Sequence, residues 1–107
     1  MIKIYASPHC IDCRNLKRNL DAHSIPYDYV DVTASMPNLK EFLALRDTDD
    51  LYQEVRSGHT VGIPTIVRED HSMTLDWEQY LRDEGIQDIQ YEPETAGSAC
   101  SIDGKNC

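Results

Sequence analysis

No stretch of the 107-residue chain approaches the roughly 18 consecutive apolar residues that a membrane-spanning helix needs. The opening Met1-Ile2-Lys3-Ile4-Tyr5 also lacks the long apolar region of a secretory signal. Basic sequence is equally scarce. Nothing exceeds the Lys17-Arg18 pair in a chain of formal net charge -9, so there is little material for a phosphate-binding surface, and nucleic acid is not an expected partner. Internal repeats are missing, and 12.2 kDa allows one core and no second catalytic domain. A soluble protein in the cytoplasm is the expectation, with no membrane partner. A thiol pair kept available for exchange suits a reducing compartment.

Four cysteines are present, and two of them stand close together in Cys10-Ile11-Asp12-Cys13. The pair follows a short alternating apolar run, residues 2–6, that Ser7-Pro8 breaks, and it precedes a helical pattern. A helix starting at or just after Cys10 aims unsatisfied backbone N–H groups and the positive end of its dipole at that sulfur, which favours thiolate over thiol. Cys13 lies one turn on, where it can attack a mixed disulfide on Cys10 and release a reduced product. Position therefore assigns Cys10 as attacker and Cys13 as resolver. Asp12 suits the helix dipole but opposes a thiolate, while His9 and Arg14 offer compensating charge or a hydrogen bond, so these three tune the sulfurs.

Over residues 11–22, Ile11, Leu16 and Leu20 share one helical face, and Arg14, Lys17, Arg18 and Asp21 largely occupy the other. Ser24-Ile25-Pro26 closes that helix, and residues 27–32 alternate as a half-buried strand. Ser35 caps a second helix with Pro37 in its first turn and an apolar stripe of Leu39, Phe42, Leu43 and Leu45. Asp47-Thr48-Asp49-Asp50 interrupts it, so this helical region is bent or split, with Thr48 a cap for a short continuation ending at Gly58. Residues 65–68 and 73–75 form a hairpin across Glu69-Asp70-His71-Ser72, and Asp76 caps a last helix over residues 77–84 that stops at Gly85. The order is β-α-β-α-β-β-α. Residues 88–107 carry no periodic apolar face and read as a flexible tail beyond a domain spanning residues 1–87.

The element order, the cysteine pair after the first strand and Ile63-Pro64-Thr65 before the third together resemble the glutaredoxin branch of the thioredoxin-like proteins over residues 1–86. The resemblance implies an α/β fold with a four-stranded mixed sheet flanked by helices, and dithiol–disulfide oxidoreductase activity. It also implies a cis bond before Pro64, with Ile63 and Thr65 flanking a substrate groove. Lacking an N–H, Pro64 is in any case best placed at a strand's entrance. Glutathione-binding members of the family carry a lysine before the pair and a Gly-Gly turn followed by Asp. Here Ala6-Ser7-Pro8-His9 and Met73-Thr74-Leu75-Asp76 stand in those places. Asp76 and the adjoining helix start still offer a ligand contact. The expected partners are a disulfide-containing protein or small thiol and a reductase donor, with glutathione a candidate co-substrate and no tightly bound cofactor.

Cys100 and Cys107 fall in the tail. They offer a relay of electrons between the Cys10/Cys13 pair and an outside partner by successive exchange, against the plainer reading of incidental thiols. Four cysteines could also hold zinc or an iron–sulfur cluster, but the spacing fits neither, and no metal is expected. A redox-sensing peptide-binding module without catalysis is the other alternative.

Overall fold

The computed structural model describes residues 1–92. Strand β1, Ile2–Ala6, pairs in parallel with β2, Tyr27–Asp31, and antiparallel with β3, Thr65–Val67, which in turn pairs antiparallel with β4, Met73–Thr74. The sheet is therefore mixed, in the order β2-β1-β3-β4. A central strand in a sheet flanked by helices is covered on both faces. Ile4, Tyr5 and Ala6 are accordingly buried in succession, and strict alternation is lost.

Helix α1, Ile11–Ala22, buries Ile11, Leu16 and Leu20 as the apolar spacing requires. It also buries Cys13, Asn15 and Asn19. Helix α2, Met36–Arg46, starts at Ser35, whose hydroxyl accepts from the Asn38 N–H, and it drives Phe42 into the core against the rings of Tyr5 and Tyr52.

The helical region splits as expected, into a 3-10 turn at Asp50–Tyr52 and α3, Gln53–Ser57. Its cap differs from the expectation. Asp49, one residue beyond Thr48, accepts from the Leu51 N–H at 2.9 Å, while the Thr48 hydroxyl donates back to the Ala44 carbonyl at the end of α2. A carboxylate is the stronger acceptor for an orphan N–H. Gly58 closes α3 with φ -85, so its conformational freedom goes unused, and His59 takes the left-handed conformation instead.

Helix α4, Trp77–Asp83, is capped by Asp76 and stopped at Gly85, whose φ is +89. It packs against α1. The chain after α4 departs from the expected tail over its first residues. Ile89 packs on the core, and Gln90 and Glu92 are hydrogen-bonded to α1. These contacts run through backbone groups and asparagine side chains, which leave no apolar periodicity to read.

No helix among the described residues is long and apolar enough to cross a membrane.

Candidate active site

Cys10 is the N-cap residue of α1. Its backbone is extended, at φ -105 and ψ 124, its carbonyl accepts the first helical bond from the Arg14 N–H at 3.0 Å, and its sulfur accepts from the Cys13 N–H at 3.3 Å. An orphan donor of the helix start thus points at Sγ. Both sulfurs are buried, each residue 1% exposed, and Cys10 is set in the wall of an apolar pocket of about 150 Å³ with Ser7, Val32, Leu39, Val61 and Ile63. His9, exposed at the rim, also lines it.

Burial pushes the Cys13 thiol up to about 12. A backbone hydrogen bond from Ser7 opposes this, Asp12 adds to it, Arg14 reduces it and Asp31 adds again. Asp12 and Arg14 thus act on Cys13 in the opposite senses that their charges dictate. The Arg14 side chain is tied elsewhere. Its guanidinium holds the Glu92 carboxylate at 2.7 Å and donates to the Pro8 carbonyl at 2.9 Å.

Ser7 had no assigned role in the sequence, yet it organises the loop before the pair. Its carbonyl accepts from the Cys10 N–H, and its hydroxyl meets the Thr33 hydroxyl at 3.0 Å and accepts from the His9 N–H. Nothing about a single serine before a proline distinguishes this role from a turn.

The Ile63–Pro64 bond is cis. Ile63 borders both the Cys10 pocket and a larger groove of about 510 Å³, which Pro64, Asp12, Asp76 and Trp77 also line. Thr65 does not face that groove with its side chain. It is fully buried, and its hydroxyl lies 2.8 Å from the Tyr52 hydroxyl and donates to the Gly62 carbonyl at 2.7 Å. The hydroxyl is thereby satisfied inside the fold, because buried hydroxyls need partners and Tyr52 supplies one.

Two further anchors hold the same loop. Arg46 donates to the carbonyls of Val61 and Thr60 at 2.9 and 2.8 Å. Gly62 adopts φ +94, with the Tyr52 ring 3.1 Å from where a Cβ would stand. Gly62→Ala is therefore expected to cost about 2 kcal/mol, from left-handed strain together with the crowding. Calorimetry should show a midpoint lower by about 10 °C, and an unchanged midpoint would mean that the loop does not rest on Tyr52.

The groove carries Asp12, Glu54, Asp76 and Glu78 and, among the described residues lining it, no lysine or arginine. The Asp76 carboxylate caps α4 by accepting from the Gln79 N–H. Tyr91, from the segment after α4, forms part of the wall. Its ring meets Trp77 edge-on with centroids 5.8 Å apart, and its hydroxyl donates to Glu78. No group of three or more His, Cys, Asp or Glu that could hold a metal ion exists among the described residues. Cys100 and Cys107 lie outside them.

A strand, a Cys-Xaa-Xaa-Cys at a helix start and a cis-proline loop bordering the same sulfur define a thioredoxin-like site. The glutaredoxin family profile matches residues 2–71, and the chain belongs to that family. It is similar to an uncharacterized protein of Haemophilus influenzae (strain ATCC 51907 / DSM 11121 / KW20 / Rd), 29% identical over 73 residues, which are 68% of this chain and 85% of that one. No solved structure matches significantly.

Proposed function

We propose that the protein is a dithiol–disulfide oxidoreductase in which Cys10 attacks a substrate disulfide and Cys13 resolves the mixed disulfide. The observation that carries this reading is the Cys13 N–H directed at the Cys10 sulfur from the first turn of α1. In the first step a bond forms between Cys10 Sγ and one substrate sulfur while the other leaves as a thiolate. In the second, Cys13 gives up its proton and attacks Cys10 Sγ, freeing the second substrate thiol and leaving a Cys10–Cys13 disulfide. Two electrons from a thiol donor or reductase return the pair to the dithiol. Ile63 and Pro64, bordering the groove beside Cys10, are the backbone against which the substrate lies.

The preferred substrate is a protein disulfide rather than glutathione. Four carboxylates in the groove repel a tripeptide that itself carries two carboxylates and one ammonium group, whereas a protein chain brings no such concentration of negative charge. The test is an NADPH-coupled reduction assay of a protein disulfide, run with and without glutathione. Turnover that requires no glutathione is expected, and exchange at Cys10 no faster than at an ordinary thiol would instead favour the peptide-binding module. Glu54→Lys should lower KM for a glutathione mixed disulfide about 2- to 5-fold at low salt, in keeping with exposed charge pairs worth up to about 1 kcal/mol. The gain should fade at about 0.5 M salt, where screening shortens the reach of the charge.

A further inference from the structure

Ile63 borders two cavities of opposite character. One is the Cys10 pocket of about 150 Å³, where Val32, Leu39, Val61 and Ile63 present aliphatic groups. An apolar cavity of about that size stays dry and takes a benzene-sized group. The other is the groove of about 510 Å³, which begins at Asp12 in the active loop and carries Glu54 from α3 and Trp77 and Glu78 from α4. Its charge is of one sign. No lysine or arginine stands among its described lining residues, and Arg82, whose charge is felt at Tyr91, does not line it.

The aromatic part of the groove is held from outside it. Asn19 donates to the Gln90 carbonyl and accepts the Gln90 N–H, both at 2.8 Å, and Asn15 accepts the Glu92 N–H at 2.8 Å, so the main chain is pinned on both sides of Tyr91. Tyr91 is nonetheless 52% exposed. Its ring rests edge-on against Trp77 and its hydroxyl donates to Glu78. An exposed ring beside a carboxylate, fixed before any ligand arrives, suits an amphipathic cation whose stem covers the ring while its charged head meets the acid. Asp76 is committed to the α4 cap and Glu78 to Tyr91. Glu54, exposed on α3, makes no hydrogen bond or ion pair among the described residues and keeps its full accepting capacity.

We propose that the substrate is a protein segment whose reactive cysteine is flanked by an apolar side chain for the Cys10 pocket and, on its other side, by a lysine or arginine for the groove lined by Glu54, Trp77 and Tyr91. The inference rests on Cys10 being the nucleophile of the exchange proposed above. A chain whose sulfur is bonded to Cys10 passes over Ile63 from one cavity to the other, so the two sides of its cysteine meet different surroundings. The apolar pocket rewards removal of a hydrocarbon group from water. The groove rewards a positive charge and rejects a negative one, which selects the substrate by repulsion as well as by attraction.

The test measures single-turnover reduction of mixed disulfides between short peptides and mercaptoethanol by the reduced full-length protein, with acid quench and chromatography. Cys10 takes the peptide sulfur while mercaptoethanol leaves as a thiolate, and Cys13 then frees the peptide thiol and closes the Cys10–Cys13 disulfide. Peptides with leucine on one side of the cysteine and lysine on the other, in both chain directions, are compared with peptides carrying alanine for leucine and glutamine or glutamate for lysine. In the better direction lysine should react about 5- to 20-fold faster than glutamine at low salt, the worth of one or two exposed ion pairs, and glutamate should be slowest. Leucine should gain about tenfold over alanine. Glu54→Lys should cut the lysine preference to below about threefold, and about 0.5 M salt, which needs no substitution, should do the same. Tyr91→Ala should lower it about 2- to 5-fold. Equal rates across the peptides, a preference for glutamate, a lysine preference without a leucine preference, or one that survives both salt and Glu54→Lys overturns the proposal and leaves dithiol exchange standing. No reduction of any peptide, with Cys10 exchanging no faster than an ordinary thiol, overturns the exchange reading itself, and this inference with it.

Discussion

Cys10→Ser is expected to lose protein-disulfide reduction by at least about a thousandfold, on the order of 4 kcal/mol in the activation barrier. The physical reason lies in the atom replaced. The attacking species is a sulfur that can bond to another sulfur, whereas a serine hydroxyl has no thiolate to offer and cannot form a mixed disulfide. The fold should tolerate the exchange, because a hydroxyl at the N-cap still accepts the orphan N–H, and serine is a preferred residue there. Circular dichroism and the thermal midpoint should therefore stay near the parent values while coupled NADPH oxidation falls to background. Full turnover in the variant would reassign the nucleophile.

Cys13 should behave in the opposite way to an active thiol. Burial pushes it up to about 12 from an ordinary 9.0, which leaves about a thousandfold less thiolate at pH 7 than a free cysteine has. Iodoacetamide labelling of the reduced protein should be slower at Cys13 by at least that factor, since its 1% exposure adds to the electrostatic protection. Rates approaching those of a free thiol would show that the sulfur is not held among core groups.

The same shift predicts how stability depends on pH. Above pH 9 the unfolded chain releases the Cys13 proton while the native state keeps it, so the native state binds more protons and stability falls as pH rises. The contribution is whole below about pH 9 and disappears as pH climbs toward 12. Tyr52 and Tyr80, also pushed up by burial, lose stability in the same direction. The Cys13 share is isolated by comparing denaturation curves with those of Cys13→Ala, whose alkaline decline should be shallower. Equal slopes would remove Cys13 from the account.

Much of the site was legible in residue order because it depends on local geometry. Two cysteines one helical turn apart, after a strand and a Ser-Pro break, place one sulfur at an N-cap whatever the rest of the chain does. Asp76 before a periodic segment and Gly85 after it delimit α4 by the same local chemistry. The anchors of the proline loop were hidden because each is ordinary by itself. Tyr52 looks like core, Arg46 like a helix end, and Gly62 like a turn, and only their convergence on the carbonyls and hydroxyl of residues 60–65 reveals the latch. The segment at residues 88–92 was hidden for a related reason. It is held through its own backbone and by polar side chains some seventy residues earlier, and neither leaves a hydrophobic period.

Residue order alone determined the glutaredoxin-like β-α-β-α-β-β-α plan, the Cys10 cap and the paucity of basic charge, since strand alternation, helical spacing and capping act between near neighbours. Tertiary packing decided the rest: the depth at which both sulfurs sit, the height of the Cys13 proton affinity, the acidic groove beside Ile63 and Pro64, and the path of the chain after α4. Each of these depends on which distant groups exclude water from a sulfur or satisfy a buried amide, and solvent exclusion is a property of assembled surfaces that no window of neighbouring residues contains.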